Sequence, residues 1–191
     1  MILDVVVYPD PKKVLETKAE EVTVFDAELK QFVKDMHETM HHAGGIGLAA
    51  NQVGVLKRVI TMNIPFDGER YEQTEEEREE WHDKAITLIN PVITKKAGKF
   101  KFQEGCLSFP EIFEVVERAE EIWVTAKDEN GKEFELHGTG IFAVCVQHEI
   151  DHIDGIVFIN RMSRLKAGIV RKKLARRGRP ETAINQSAES L

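Results

Sequence analysis

Residues 121–155 read EIWVTAKDENGKEFELHGTGIFAVCVQHEIDHIDG. Two β-rich runs, Glu121–Ala126 and Lys132–Leu136, flank Asp128-Glu129-Asn130-Gly131, and that turn chemistry predicts an antiparallel hairpin. Thr139 then opens a helix that runs through His148 and His152 and stops near Gly155. A hairpin feeding directly into a helix, with no return to a parallel strand, sets the class as α+β and not alternating βαβ. Upstream, further strands are predicted at Val5–Tyr8, Arg58–Met62, Ala85–Ile93, Phe100–Phe102 and Glu114–Val116. Asp26 fits an N-cap, and Leu29, Phe32, Val33, Met36 and Met40 follow it at helical spacing until Gly44-Gly45. Downstream, a last helix spans 163–177 and ends at Gly178-Arg179-Pro180. The expected architecture is antiparallel sheets packed around a central helix, with a C-terminal helix. Residues 1–178 are expected to form a single domain and 179–191 a flexible tail.

The 191 residues suffice for a core without disulfide staples. The two cysteines, Cys106 and Cys145, argue against a disulfide framework and for a reducing compartment. No apolar run approaches the ~18 residues of a membrane span, and the N-terminus lacks the basic-then-apolar order of a secretory signal. The net charge of −7 excludes wholesale nucleic-acid binding, but it is unevenly spread. Residues 161–191 carry nine Lys/Arg and two acids, net +7, which leaves −14 on residues 1–160. The basic end reads either as a surface for an anionic partner or as a solvated helix face. The stretch 65–84 holds nine acids, and Thr74–Glu77 fits a capping box, so a solvated insertion with a short helix is expected there.

Within the helix after the hairpin, Gln147-His148-Glu149-Ile150-Asp151-His152 contains H-E-x-x-H. Histidines four apart on a helix share a face and can bind one metal, and Glu149 beside them can act on a water. Asp151 and Asp154 read either as partners behind the imidazoles or as surface acids, and the surface reading is favoured. A catalytic metal usually takes three protein ligands, and no histidine follows His152. Cys106, in Glu104-Gly105-Cys106-Leu107-Ser108, offers a thiolate, and a thiolate with two imidazoles suits divalent iron, zinc, cobalt or nickel. Taken alone, Cys106 reads first as a small buried hydrophobe. In Gly45-Ile46-Gly47-Leu48-Ala49-Ala50-Asn51-Gln52 the small residues admit a close ligand, and Gln52 can bring an amide donor. The stretch has neither the Lys-Ser/Thr of a P-loop nor a full dinucleotide fingerprint.

Gly45–Gln52, Glu104–Ser108 and Gln147–His152 together resemble, in order and residue type, the three signature motifs of the peptide deformylase family. The resemblance extends to Tyr8-Pro9-Asp10, the helix before Gly45, and Leu88-Ile89-Asn90-Pro91. It implies a metal-dependent hydrolase that removes the formyl group from the N-terminal formylmethionine of new polypeptides and releases formate. It implies that Cys106, His148 and His152 hold one divalent metal, natively Fe(II), with zinc, nickel or cobalt also compatible. Glu149 is then the general base, and Gln52 and the Leu107 backbone N–H stabilise the oxyanion. The methionine pocket implied is Ile46, Phe102, Ile141, Val144 and Cys145, with Gly45 and Gly47 forming a crowded wall. Arg118 falls where the family places a basic partner for Glu104, so a supporting ion pair behind Cys106 is expected.

This sequence departs from the pattern twice. Glu111-Ile112-Phe113 follows Pro110 where some members carry an arginine, and the acidic stretch 65–84 is longer than in compact members. The partners expected are nascent formyl-Met polypeptides and, through the basic C-terminal helix, the ribosome, with no membrane. The location expected is a bacterial cytoplasm. Two competing readings are an H-E-x-x-H endopeptidase that does not need Cys106, and a closed structural metal site with an RNA-binding tail.

Overall fold

The computed structural model describes residues 1–64 and 85–176. The helix expected within 65–84 and the tail expected at 179–191 lie outside the described residues. Three helices are described: α1 (Ala27–His42), α2 (Gly140–Ile153) and α3 (Arg164–Arg176). The seven strands are β1 (Gly47–Ala49), β2 (Val59–Met62), β3 (Ile86–Ala97), β4 (Phe100–Glu104), β5 (Glu114–Arg118), β6 (Glu121–Lys127) and β7 (Glu133–Thr139). Five of them form an antiparallel sheet in the order β1-β2-β3-β6-β7, and β4 and β5 form a separate hairpin. The fold is α+β.

The hairpin at 121–139 forms because Asp128 closes its turn. The Asp128 carboxylate accepts from the Asn130 and Lys132 amides at 2.9 Å each. Along β6, Ile122, Val124 and Ala126 turn inward and their neighbours outward, the period of a half-buried strand. These residues pack with Leu88, Ile60 and Met62 against Phe142, Val146, Ile150 and Ile153 of α2. β2 is buried at all four residues because helices cover both faces of the sheet there. Ile60 faces the α2 cluster, while Val59 faces Val33, Met36 and Met40 of α1. A third cluster joins Phe109, Ile112 and Val116 to Phe158, Val170 and Leu174, and so seats α3 against the second hairpin.

α1 starts where Asp26 caps it, its carboxylate accepting from the Leu29 amide at 3.0 Å. Near the end of β7, a Cβ at Gly138 would stand 2.0 Å from the ring of Phe142 in the first turn of α2, so glycine lets the strand lie against the helix. Val5–Tyr8 forms no strand. Its amides go to two different segments, Val6 N to the Gln52 carbonyl (2.7 Å) and Tyr8 N to the Ser108 carbonyl (2.9 Å), so no ladder develops. That strap instead ties the first glycine-rich motif to the cysteine motif. Gly47–Ala49, where no strand is predicted, is the edge strand β1, paired with Ile60–Met62.

Candidate metal centre

α2 is buried from Phe142 through Ile153 with no exposed face. Its charged side chains therefore need partners inside the protein. One helical turn sets the His148 and His152 rings 4.9 Å apart at 71°. Their Nε2 atoms lie 3.2 Å from each other, and Cys106 Sγ lies 3.3 Å from His152 Nε2. The three donor atoms fall within 4.8 Å of one another. Two imidazole nitrogens and a sulfur pointed at one spot repel unless something positive sits between them. Cys106 and Glu104 favour positive charge at His148, against its burial. Burial, and then the positive charge favoured at His148, holds His152 well below its ordinary value, so the group takes up one positive charge where an ion would sit. The donor set and its electrostatics therefore fit a divalent cation.

The histidine ligands are held from behind. His148 Nδ1 donates to Glu104 Oε2 at 2.8 Å, which aims Nε2 at the centre. Arg118 grips the same carboxylate through Nε (2.5 Å) and Nη2 (2.9 Å), the ion pair the sequence led us to expect. Burial works to raise the Glu104 carboxyl, and its bonds to His148 and Arg118 outweigh it, so it stays below the usual range. Asp151, expected at the surface, is buried and takes Arg118 Nη1 at 2.8 Å. It also takes both Nε (2.9 Å) and Nη2 of Arg161. Asp154 is partly exposed and pairs with Arg58 at 2.6 Å. His152 Nδ1 is buried without a hydrogen-bond partner among the described residues.

Glu149 is buried, and burial pushes its carboxyl up to about 7. Its Oε2 has no partner among the described residues. Gln52 is locked by its own oxygen, which accepts from the Ala49 amide at 2.9 Å. That leaves its Nε2 facing Ser108 Oγ at 3.3 Å and Cys106 Sγ at 3.6 Å, at the edge of the centre. A cleft of about 570 Å³ opens over these groups. All seven predicted pocket residues line it, as do Leu107, Gln52, Cys106, His148 and Glu149. Glu111 and Phe113 lie at its rim, where an arginine was noted as missing. Arg161 was missed as a supporting residue, and for Asp151 the favoured surface reading gives way to the supporting one. Nothing in the sequence separates Arg161 from the other cations of the basic end.

A buried carboxylate beside two imidazoles and a thiolate, at the floor of an apolar cleft, defines the class: a mononuclear metallohydrolase. The description of the polypeptide deformylase family matches residues 2–168. A relative named peptide deformylase, from Chromobacterium violaceum, is 44% identical over 176 residues, 92% of this chain and 96% of its own. A relative of the same name from Neisseria gonorrhoeae is 43% identical over the same span. Among solved structures, a peptide deformylase from Ehrlichia chaffeensis in complex with actinonin superposes with a TM-score of 0.79 at 39% identity, covering 94% of this chain and 99% of that one. The chain belongs to the polypeptide deformylase family. It is accordingly a metal-dependent hydrolase that removes the N-formyl group from nascent formyl-Met polypeptides.

Proposed function

We propose that Cys106, His148 and His152 are the metal ligands, that the native ion is Fe(II), and that Glu149, Gln52 and Leu107 carry out the reaction. The single observation behind this is the convergence of one sulfur and two Nε2 atoms, with Cys106, His148 and the buried Glu149 lining the cleft and His152 beneath them. Thiolate and imidazole donors accept Fe(II) as well as zinc, nickel or cobalt. When bound, the ion supplies Lewis acidity: it acidifies water and draws charge from a carbonyl oxygen.

The protein's own groups do the rest. The carboxyl of Glu149, poised near neutrality, takes a proton from the water as its oxygen attacks the formyl carbon. Negative charge builds on the formyl oxygen, where the Gln52 amide and the Leu107 backbone N–H stabilise it. The C–N bond then breaks, Glu149 returns its proton to the leaving nitrogen, and formate and a free α-amine result. The methionine side chain is taken by Ile46, Phe102, Ile141, Val144 and Cys145, whose apolar surfaces line the cleft. Glu104 and Arg118 hold the end of β4, from which the cysteine loop departs, and the His148 ring in place.

Formate release from formyl-Met-Ala-Ser by anaerobically prepared protein tests the reading, with metal analysis of the same sample for iron. Glu149→Gln should keep one ion per chain and lose about 10²–10⁴-fold in kcat. Cys106→Ala should lose the ion, which an endopeptidase of the H-E-x-x-H kind would not. A closed structural site would need a fourth protein donor, and among the described residues the group has three.

We further propose a single catalytic domain over 1–178 with 179–191 as a tail, action in a bacterial cytoplasm, and ribosome docking through α3. Two free cysteines support a reducing compartment. No described helix is long and apolar enough to cross a membrane. Arg171, Lys172, Lys173 and Arg176 are exposed on α3, as is the apolar pair Leu165 and Ile169. Charge reversal at Lys172 and Lys173 should abolish salt-sensitive co-sedimentation with ribosomes and leave formate release unchanged. Undiminished co-sedimentation would remove the docking proposal.

A further inference from the structure

Asp151 and Arg161 take no part in the reaction described above, yet they complete a chain of charge that ends on His148. Arg161 meets Asp151 as a two-pronged fork, Nε on Oδ2 at 2.9 Å and Nη2 on Oδ1. Asp151 Oδ2 accepts from Arg118 Nη1 at 2.8 Å. The remaining donors of Arg118 hold Glu104, and Glu104 holds His148 Nδ1. We propose that Arg161 is a positioning residue for the metal centre: by gripping both oxygens of Asp151 it leaves Arg118 free to hold Glu104, and so fixes the His148 ring in the orientation that retains the ion. The inference rests on the metal-centre reading above.

Charge balance makes the outer residue matter. Two carboxylates and two guanidiniums cancel. Without Arg161 the cluster is net negative, and Asp151, buried, keeps Arg118 alone. A buried carboxylate with unfilled acceptor sites is costly. The nearest relief is for Arg118 to turn further towards Asp151, which loosens its fork on Glu104. Side-chain exposure falls from 44% at Arg161 to 8% at Asp151, 4% at Arg118 and 3% at Glu104, so the outermost member can be removed without opening the core. The short helical segment Phe158–Arg161 also reaches the centre by a second contact, with the Phe158 ring 6.0 Å from the ring of His148. A lysine could supply the charge but not the fork.

The test uses full-length protein loaded anaerobically with Co(II), and reads the rate of Co(II) transfer to EDTA, the visible cobalt–thiolate absorption, and the melting temperature of the metal-free protein. Arg161→Ala should release cobalt about tenfold faster, in the range known for partners behind metal ligands, and shift the absorption band. Arg161→Lys should restore part of the difference. Release within twofold of wild type, with only the melting temperature lowered, would make Arg161 a plain fastener and overturn the proposal. If Arg161→Ala does not fold, Arg161→Lys decides alone: wild-type release and spectrum overturn the proposal, faster release supports it. Failure of the wild-type protein to bind stoichiometric Co(II) would sink the metal-centre reading itself, and this inference with it.

Discussion

A Cβ at residue 47 would lie 2.6 Å from Glu149 Oε1 and 2.7 Å from Cys145 Sγ. Gly47 therefore forms the wall against which the Glu149 carboxylate rests. The obstructed atoms are the ends of side chains rather than backbone, so Gly47→Ala should fold with little loss of stability while the Glu149 carboxylate is pushed aside. A misplacement on that scale costs about 10²-fold in rate. Gly47→Ala should thus lower kcat/KM for formyl-Met-Ala-Ser by about that factor with one ion per chain retained; wild-type activity would show that the wall does not position Glu149. The candidate site residues were legible in the sequence only as a set: three short motifs in order resemble one family, whereas Cys106 alone reads as a small buried hydrophobe and the Gly-Ala stretch as tight packing. A thiol, an amide and an H-E-x-x-H pattern each have other uses, and it is their joint order along the chain that narrows them. Asp151 was misread because its sequence neighbourhood looks like an ordinary helix surface. Burial of α2 on all sides comes from the sheet and from the Phe158–Arg161 segment, which local pattern does not report.

Helix α1 supplies support without chemistry, and its cap offers a clean contrast with the site. The Asp26 carboxylate satisfies the Leu29 amide in the first turn. Asp26→Ala should cost about 1 kcal/mol, the usual worth of such a cap. It should appear as a lower urea midpoint with kcat/KM unchanged, since no residue of α1 lines the cleft. A fall in kcat/KM would mean that α1 is coupled to the site more tightly than its packing indicates. The helices themselves were readable to within a few residues, because the apolar spacing and end signals agree: 139–155 against Gly140–Ile153, and 163–177 against Arg164–Arg176. The β6–β7 and β4–β5 strands were readable for the same reason. The failures sit where pairing is decided at long range. Val5–Tyr8 has strand composition but spends its amides on two segments. Gly47–Ala49 has the composition of a turn but finds β2 beside it.

At the scale of the whole molecule, three apolar clusters meet at the cleft. Cys106 packs with the cluster of Phe109 and Phe158, Leu107 with that of α1, and Cys145 with that of the large sheet and α2. An ion held by Cys106, His148 and His152 would join the cysteine loop, packed in the cluster of Phe109 and Phe158, to α2, packed in the cluster of the large sheet. A ligand that binds the folded chain and not the unfolded one stabilises by RT ln(1 + [L]/Kd), about 4 kcal/mol at a thousandfold excess over Kd. For a chain of this size each kcal/mol moves the melting temperature by about 2–4 °C. Chelation of the anaerobic protein should therefore lower its melting temperature by about 10 °C, and re-addition of Fe(II) or Co(II) should restore it. Cys106→Ala should melt near the chelated wild type and gain nothing from added metal, because two histidines on one helix cannot clasp the second cluster. If Cys106→Ala recovered the full shift on metal addition, the sulfur would not be a ligand, and the join between the two clusters would have to be made elsewhere.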